Sequence, residues 1–276
     1  MTVLTRRRGR AAAVAAAALA LLVPTASHAI TGGQPTQGYT NVGSFVVEVP
    51  GAEGGTDLIQ LCTGTLVSPH VVLSASHCMD DSDYPSDWGK VWFTLEQRIA
   101  DDDSWTLRDD LELLDGTPVP HPSYTGKANY RYDVGAFVLE EAVTGVPFAE
   151  LADVGYLDAR SLRDTTFTAV GYGIERYDKQ KSTQAFLPPK ERMAVSQPLV
   201  NVHGGYALFS MNLARGLGGT CYGDSGGPKF NAAGEIVAVV TTGDIPCKAT
   251  DQATRTDTAY AHEFIDGLIA AHDPQH

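Results

Sequence analysis

The sequence predicts a mostly-β fold that closes with a single C-terminal helix. Three observations carry this expectation. Short runs rich in β-branched and aromatic residues recur along the chain with turn residues between them. Helical spacing is convincing only near the end. Neither a low-complexity linker nor a repeat interrupts the chain, and the 247 of its 276 residues that follow position 29 suffice for one large unit or two small ones. The runs are residues 44–49, 91–95, 134–139, 166–170 and 236–241. The first ends at Pro50-Gly51, the third follows Asp133, and the last lies between Gly234 and Gly243, so each is bounded by residues that favour turns. The helix is expected where Tyr260, Phe264, Ile265, Leu268 and Ile269 share one face.

The first 29 residues read as a cleavable export signal. Arg6, Arg7, Arg8 and Arg10 form a basic start, residues 11–23 an apolar stretch, and Ser27-His28-Ala29 a small-x-small cleavage site. Thirteen apolar residues are too few to span a bilayer, which argues against a membrane anchor. The three consecutive arginines hint at twin-arginine export without deciding the route. A secreted location makes disulfides plausible, and four cysteines allow three pairings.

Without the four leader arginines, 16 basic residues face 33 acidic ones, a formal charge of −17. Such a surface favours solubility and disfavours nucleic acid or anionic membrane as partners. Asp101-Asp102-Asp103 and Asp109-Asp110 lack the ligand spacing of a calcium loop and read as solvated. His70, His121, His203, His262, His272 and His276 show no metal-ligand spacing, so no metal or other cofactor is expected.

The chemistry concentrates in Gly223-Asp224-Ser225-Gly226-Gly227-Pro228. A serine hydroxyl needs a neighbouring base to become nucleophilic, and the carbonyl it attacks needs donors aimed at its developing charge. Glycines beside the serine let the main chain approach a substrate closely. A base is available in Leu73-Ser74-Ala75-Ser76-His77-Cys78, and an acid in Asp133, which opens the run Val134-Gly135-Ala136-Phe137. Gly223-x-Ser225-x-Gly227 also fits the nucleophile elbow of α/β-hydrolases. That elbow requires a helix directly after the serine, whereas Pro228 and the β-branched run 236–241 follow here. Only the 51 residues after Ser225 remain to supply an acid (Asp251 or Asp257) and a base (His262).

In the order His, Asp, Ser, these segments resemble the chymotrypsin/trypsin family of serine proteases, and the resemblance runs from Ile30 nearly to the end. It implies two six-stranded antiparallel β-barrels, residues 30–145 carrying His77 and Asp133, and residues 146–276 carrying Ser225 and the terminal helix. The boundary falls somewhere between Glu141 and Arg163. The implied roles are base for His77, orienting acid for Asp133 and nucleophile for Ser225, with the N–H groups of Gly223 and Ser225 as oxyanion hole. The family pattern selects the disulfides Cys62–Cys78 and Cys221–Cys247, each expected to contribute on the order of 3 kcal/mol. Ile30-Thr31-Gly32-Gly33 resembles the mature start of relatives, whose freed ammonium pairs with the acid before the nucleophile, here Asp224.

The same resemblance assigns Gly219, Thr220, Tyr222, Thr241, Thr242 and Gly243 to the substrate pocket, with Gln252 near its bottom. Glycine at 219 supplies no charge for Lys or Arg, so a neutral pocket is expected, although Asp244 stands close to its mouth. His121-Pro122-Ser123-Tyr124 and Gly171-Tyr172-Gly173 also fit the family. Ser74 and Ser76 replace the usual Thr and Ala, and Thr241-Thr242-Gly243 replaces Ser-Trp-Gly. Polypeptide substrates follow from the resemblance, as does a protein protease inhibitor as a conceivable partner of a monomer. The rival from another class is an inactive homologue serving as a binding module, against which stands the presence of all three implied catalytic residues.

Overall fold

A computed structural model describes residues 30–52, 54–101, 105–126, 130–177, 185–244 and 247–275. The expected leader (1–29) and Asp102 and Asp103 lie outside the described residues. In chain order the strands are β1 (Gln34–Pro35), β2 (Val42–Pro50), β3 (Thr56–Leu66), β4 (Val71–Ser74), β5 (Val91–Thr94), β6 (Gly116–Val119) and β7 (Gly135–Leu139). There follow β8 (Thr166–Gly171), β9 (Glu175–Tyr177), β10 (Ala185–Leu187), β11 (Met193–Val202) and β12 (Tyr206–Ser210). The last three are β13 (Pro228–Phe230), β14 (Ile236–Gly243) and β15 (Thr250–Arg255), before helix α1 (Ala259–His272).

Two six-stranded antiparallel barrels result. The first has the order β5-β2-β3-β4-β7-β6, closed by a bridge in which Phe93 and Leu114 exchange backbone hydrogen bonds of 3.0 and 2.7 Å. Inward residues alternate with outward ones along each strand, and the interior gathers Phe45, Leu66, Val72, Phe93 and Phe137. The Phe45 ring lies 5.0 Å from Phe93 and 5.3 Å from Phe137, separations at which aromatic pairs attract. In the second barrel β8-β13-β14-β15-β12-β11 closes on itself through the β11–β8 ladder. Between the barrels, Val42, Leu73, Val134, Val170, Phe230, Val239 and Ile265 form one shared core.

The chain does not divide as cleanly as its sequence suggests. β1 pairs with β11, so residues expected in the first barrel join the second. Helix α1, which follows the second barrel, is tied at its end to the first. Asp273 accepts hydrogen bonds from the Ser68 hydroxyl (2.6 Å) and the His70 N–H (3.0 Å), and meets His70 Nδ1 at 2.6 Å. Burial pushes the Asp273 carboxyl up, but the bonds from Ser68 and His70 outweigh this and hold it below the usual carboxylate range. Asp273→Ala is therefore expected to cost about 2 kcal/mol in denaturant unfolding at pH 7. A carboxyl depressed in the fold stabilises above its unfolded pKa of about 4, so this loss should fade as the pH falls below that value.

Several strands escaped the sequence reading. β3 carries Thr, Asp, Gln and Cys among its apolar residues. β11 contains Pro198, tolerated because it sits in the β8 ladder just before pairing with β12 begins at Leu199. β11, β13 and β15 also turn Gln197, Lys229 and Asp251 to the interior, all buried, so no apolar alternation marks them.

Candidate active site

His77 occupies a single 3₁₀ turn, Ser76–Cys78, directly after β4. The Cys62–Cys78 disulfide fastens this turn to β3. Asp133, buried just before β7, engages the turn with both oxygens. Oδ1 accepts the His77 backbone N–H at 2.8 Å, and Oδ2 lies 2.8 Å from His77 Nδ1. Such a two-point hold fixes the position and orientation of the ring and favours the tautomer with its proton on Nδ1, leaving Nε2 as the basic nitrogen. The Tyr84 hydroxyl adds a third constraint by donating to the His77 carbonyl at 2.8 Å.

Ser76 explains one departure in the sequence. Its buried hydroxyl donates to the Val134 carbonyl at 2.8 Å and accepts the His121 N–H at 2.9 Å, locking the His77 turn to the segment that carries Asp133. The Cys62 and Cys78 sulfurs and the His77 imidazole lie within 4.8 Å of one another, a spacing that a metal site also shows. Both sulfurs belong to the disulfide, so neither offers a thiolate.

Ser225 lies on the turn before β13, half-buried, with Gly223 at φ 92° and Gly226 at φ 77°. Both are left-handed conformations that glycine adopts freely. At Gly226 the space is also closed: a Cβ would stand 2.5 Å from the Thr63 carbonyl and 2.8 Å from the Ala75 nitrogen. The serine turn thus touches the chain two residues before His77. Thr63 joins the two halves, donating its N–H to the Ser225 carbonyl (2.8 Å) and its hydroxyl to the Gly223 carbonyl (2.9 Å), which also receives the Gln60 amide at 2.8 Å. Among the described residues, the N–H groups of Gly223 and Ser225 have no protein acceptor.

Asp224 is fully buried, and its oxygens accept N–H bonds from Gly173 and Cys221 at 2.8 Å each. Burial raises its pKa to about 7, against the lowering effect of those two bonds and of Lys229. Ile30 is also fully buried, against Ala169, Met193 and Val195, and the neighbouring Thr31 carbonyl accepts the Gly219 N–H at 2.8 Å.

Two adjoining cavities flank these residues and share Thr241 and Thr242. One, of about 280 Å³, is bounded by His77, Asp133, Tyr124 and Tyr130. The other, of about 230 Å³, runs from Ser225 between Thr220–Tyr222 and Val240–Asp244. Roomier grooves elsewhere, of about 600 and 570 Å³, contain no serine, so volume alone does not mark the site. A model of the trypsin family matches residues 30–265. This chain belongs to the trypsin family.

This trypsin-family chain is 26% identical to serine protease ea of Drosophila melanogaster over 212 residues, covering 67% of the chain and 54% of that protein. The chain thus spans about half the length of that relative. It is 27% identical to a trypsin of Saccharopolyspora erythraea over 193 residues, covering 67% of the chain and 76% of the relative. A solved structure of a Glu endopeptidase in complex with MPD superposes with a TM-score of 0.58 at 18% identity, covering 86% of this chain and 96% of that one. At that identity the likeness concerns the fold alone.

Both family-implied disulfides are present, Cys62–Cys78 and Cys221–Cys247. Thr220, Tyr222, Thr241, Thr242 and Gly243 line the cavity beside Ser225. Gly219 and Gln252 are not among its walls: the Met211 side chain packs against Gly219 and lies 3.3 Å from where a Gly243 Cβ would be. Asp244 reaches the mouth, but its Oδ1 accepts the N–H groups of Lys248, Ala249 and Thr250 at 3.2, 2.8 and 2.9 Å. Its carboxylate caps that turn. The sequence reading missed Gln60 and Thr63, whose contacts cross to the distant Gly223, and Tyr84, which reaches back seven residues to the His77 carbonyl. The one local clue was Thr63, a hydroxyl directly after a cysteine of the disulfide that holds His77.

Proposed function

We propose that this chain is a secreted serine endopeptidase that cleaves peptide bonds through an acyl-enzyme, with Ser225 as nucleophile, His77 as base and Asp133 as orienting acid. The observation that carries this reading is the two-point grip of Asp133 on His77 beside a serine turn packed on the same segment. In the first step Ser225 Oγ attacks the carbonyl carbon while His77 Nε2 takes its proton. The tetrahedral oxyanion forms against the N–H groups of Gly223 and Ser225. Collapse breaks the C–N bond, and the imidazolium returns the proton to the leaving amine. Water, deprotonated by the same nitrogen, then attacks the ester and releases the acid and the free serine.

Residues 30–145 and 146–276 act as one peptidase unit whose cleft holds the triad. Export rests on the leader-like residues 1–29 and on two disulfides, which suit an oxidising compartment. Among the described residues no helix is long and apolar enough to cross a membrane. Activation in this reading pairs the freed ammonium of Ile30 with Asp224. Asp224, Asp251 and Lys229 are all buried, two acids against one base, so one further cation balances the cluster. Partners are polypeptide substrates, with a protein inhibitor compatible with the same cleft.

The test is exposure of the intact protein to a serine-directed phosphonylating reagent, followed by peptide mapping. The expected result is one label, on Ser225, with loss of peptide hydrolysis in proportion. An unlabelled Ser225 in a folded chain that cleaves no peptide defeats the reading.

A further inference from the structure

Behind the wall of the cavity beside Ser225 lies a buried polar cluster that takes no part in the proposed cleavage steps. Asp251 on β15 is 1% exposed, Lys229 on β13 and Gln197 on β11 are 0%, and Thr220 is 3%. Asp251 Oδ2 accepts three hydrogen bonds, from Lys229 Nζ (2.6 Å), the Thr220 hydroxyl (2.6 Å) and the Gln197 amide (2.8 Å). Lys229 also donates to Gln197 Oε1. Asp251 Oδ1 is buried with no partner among the described residues.

This carboxylate stands one residue away from the cavity on two sides. Thr220, which bonds it directly, lines the cavity, and so does Gly243, its cross-strand neighbour on β14. Stability does not account for such a pair, because a buried ion pair seldom outperforms well-packed apolar residues of similar size. The same barrel buries the apolar Phe167, Leu199, Phe209, Val237 and Ala253. An unpaired carboxylate at this place would project its field through one side chain into a poorly screened cavity and attract cationic side chains.

We infer that Lys229 is a specificity-determining residue: by neutralising Asp251 behind Thr220 and Gly243, it keeps the inner end of the pocket beside Ser225 uncharged, Asp244 standing only at the mouth, and directs cleavage after neutral residues. Lys229 touches no substrate and acts through Asp251. Met211, packed on Gly219 and close to Gly243, closes the end of the pocket and favours small or medium side chains. Lys229 lies four positions after Ser225, so nucleophile and charge balance travel on one segment.

The inference rests on the peptidase reading, and the experiment separates the two. Peptides identical except for Ala, Val, Leu, Glu, Lys or Arg before the scissile bond are compared by kcat/KM ratios. The intact protein is expected to prefer Val or Leu over Lys or Arg by about tenfold or more. Lys229→Met should shift the Lys-to-Leu ratio towards Lys by about tenfold or more, and Asp251→Asn should shift it the opposite way. The double variant should restore the original ratio. A purely structural role lowers all peptides together and leaves the ratios alone, so folded single variants with unchanged ratios overturn the inference. Where the single variants fail to fold, the intact protein still decides through inhibition by benzamidine and neutral benzamide. Comparable binding of the two supports the inference, and benzamidine binding about a hundredfold tighter overturns it. An intact protein that cleaves none of the peptides removes the peptidase reading and this inference together.

Discussion

A chain carrying Ser225→Ala is expected to lose on the order of 10⁶-fold in kcat, His77→Ala about as much, and the double variant no more than either alone. The reason lies in how the two groups act. Without the imidazole the hydroxyl keeps its proton, and without the hydroxyl the imidazole has no proton to take, so either loss removes the covalent route. Asp133→Ala should cost less, on the order of 10⁴-fold, because Asp133 works through the ring it orients. What remains in each case is the contribution of binding and of the Gly223 and Ser225 N–H groups. The fold should survive Ser225→Ala, since the group that anchors this residue is its backbone carbonyl, held by the Thr63 N–H at 2.8 Å. Kinetics with one peptide at enzyme concentrations set by absorbance, alongside unfolding curves, measure both. Losses that multiply in the double variant would mean that the residues act independently, contrary to the proposed relay.

The residues that make this prediction possible were legible because each sits in a short motif whose chemistry is local. Ser225 is flanked by glycines needed for left-handed φ at 223 and 226, and His77 precedes a disulfide cysteine. Strands β2, β5, β7, β8 and β14 were legible for a different reason: their inward residues are β-branched or aromatic. β11, β13 and β15 were not, because their interior positions hold Gln197, Lys229 and Asp251, which find partners only when distant strands meet. The same holds for Ser76 and Thr63, whose hydroxyls look like solvent-facing groups until Val134 and Gly223 come within reach. The membership of β1 in the second barrel was equally hidden, since two residues carry no pattern.

Freeing the amino group of Ile30 is expected to change how stability depends on pH. Asp224 is fully buried and titrates near pH 7 in the fold, mainly through desolvation, against an ordinary value of 3.8. A carboxyl raised in this way stabilises the fold fully below its unfolded pKa, and that contribution is lost as the pH rises through the folded value. The difference is roughly three pKa units, or about 4 kcal/mol. A chain that retains residues before Ile30 should therefore weaken between about pH 4 and pH 8. A chain beginning at Ile30 brings an α-ammonium into the same interior, where an opposite charge favours the ionised carboxylate. It should keep most of that stability at pH 8, so the two unfolding curves agree near pH 4 and separate above it. Activity should follow, because the Asp224 oxygens hold the N–H groups of Gly173 and Cys221 beside the serine turn, and an ionised carboxylate is the stronger acceptor. Urea unfolding of both chains at pH 4, 6 and 8, with hydrolysis assayed at pH 8, measures this. Parallel curves would show that Asp224 gains nothing from Ile30, and the order of the turn around Ser225 would then rest on Lys229, on the two backbone donors to Asp224 and on the hydrogen bonds from Thr63 and Gln60.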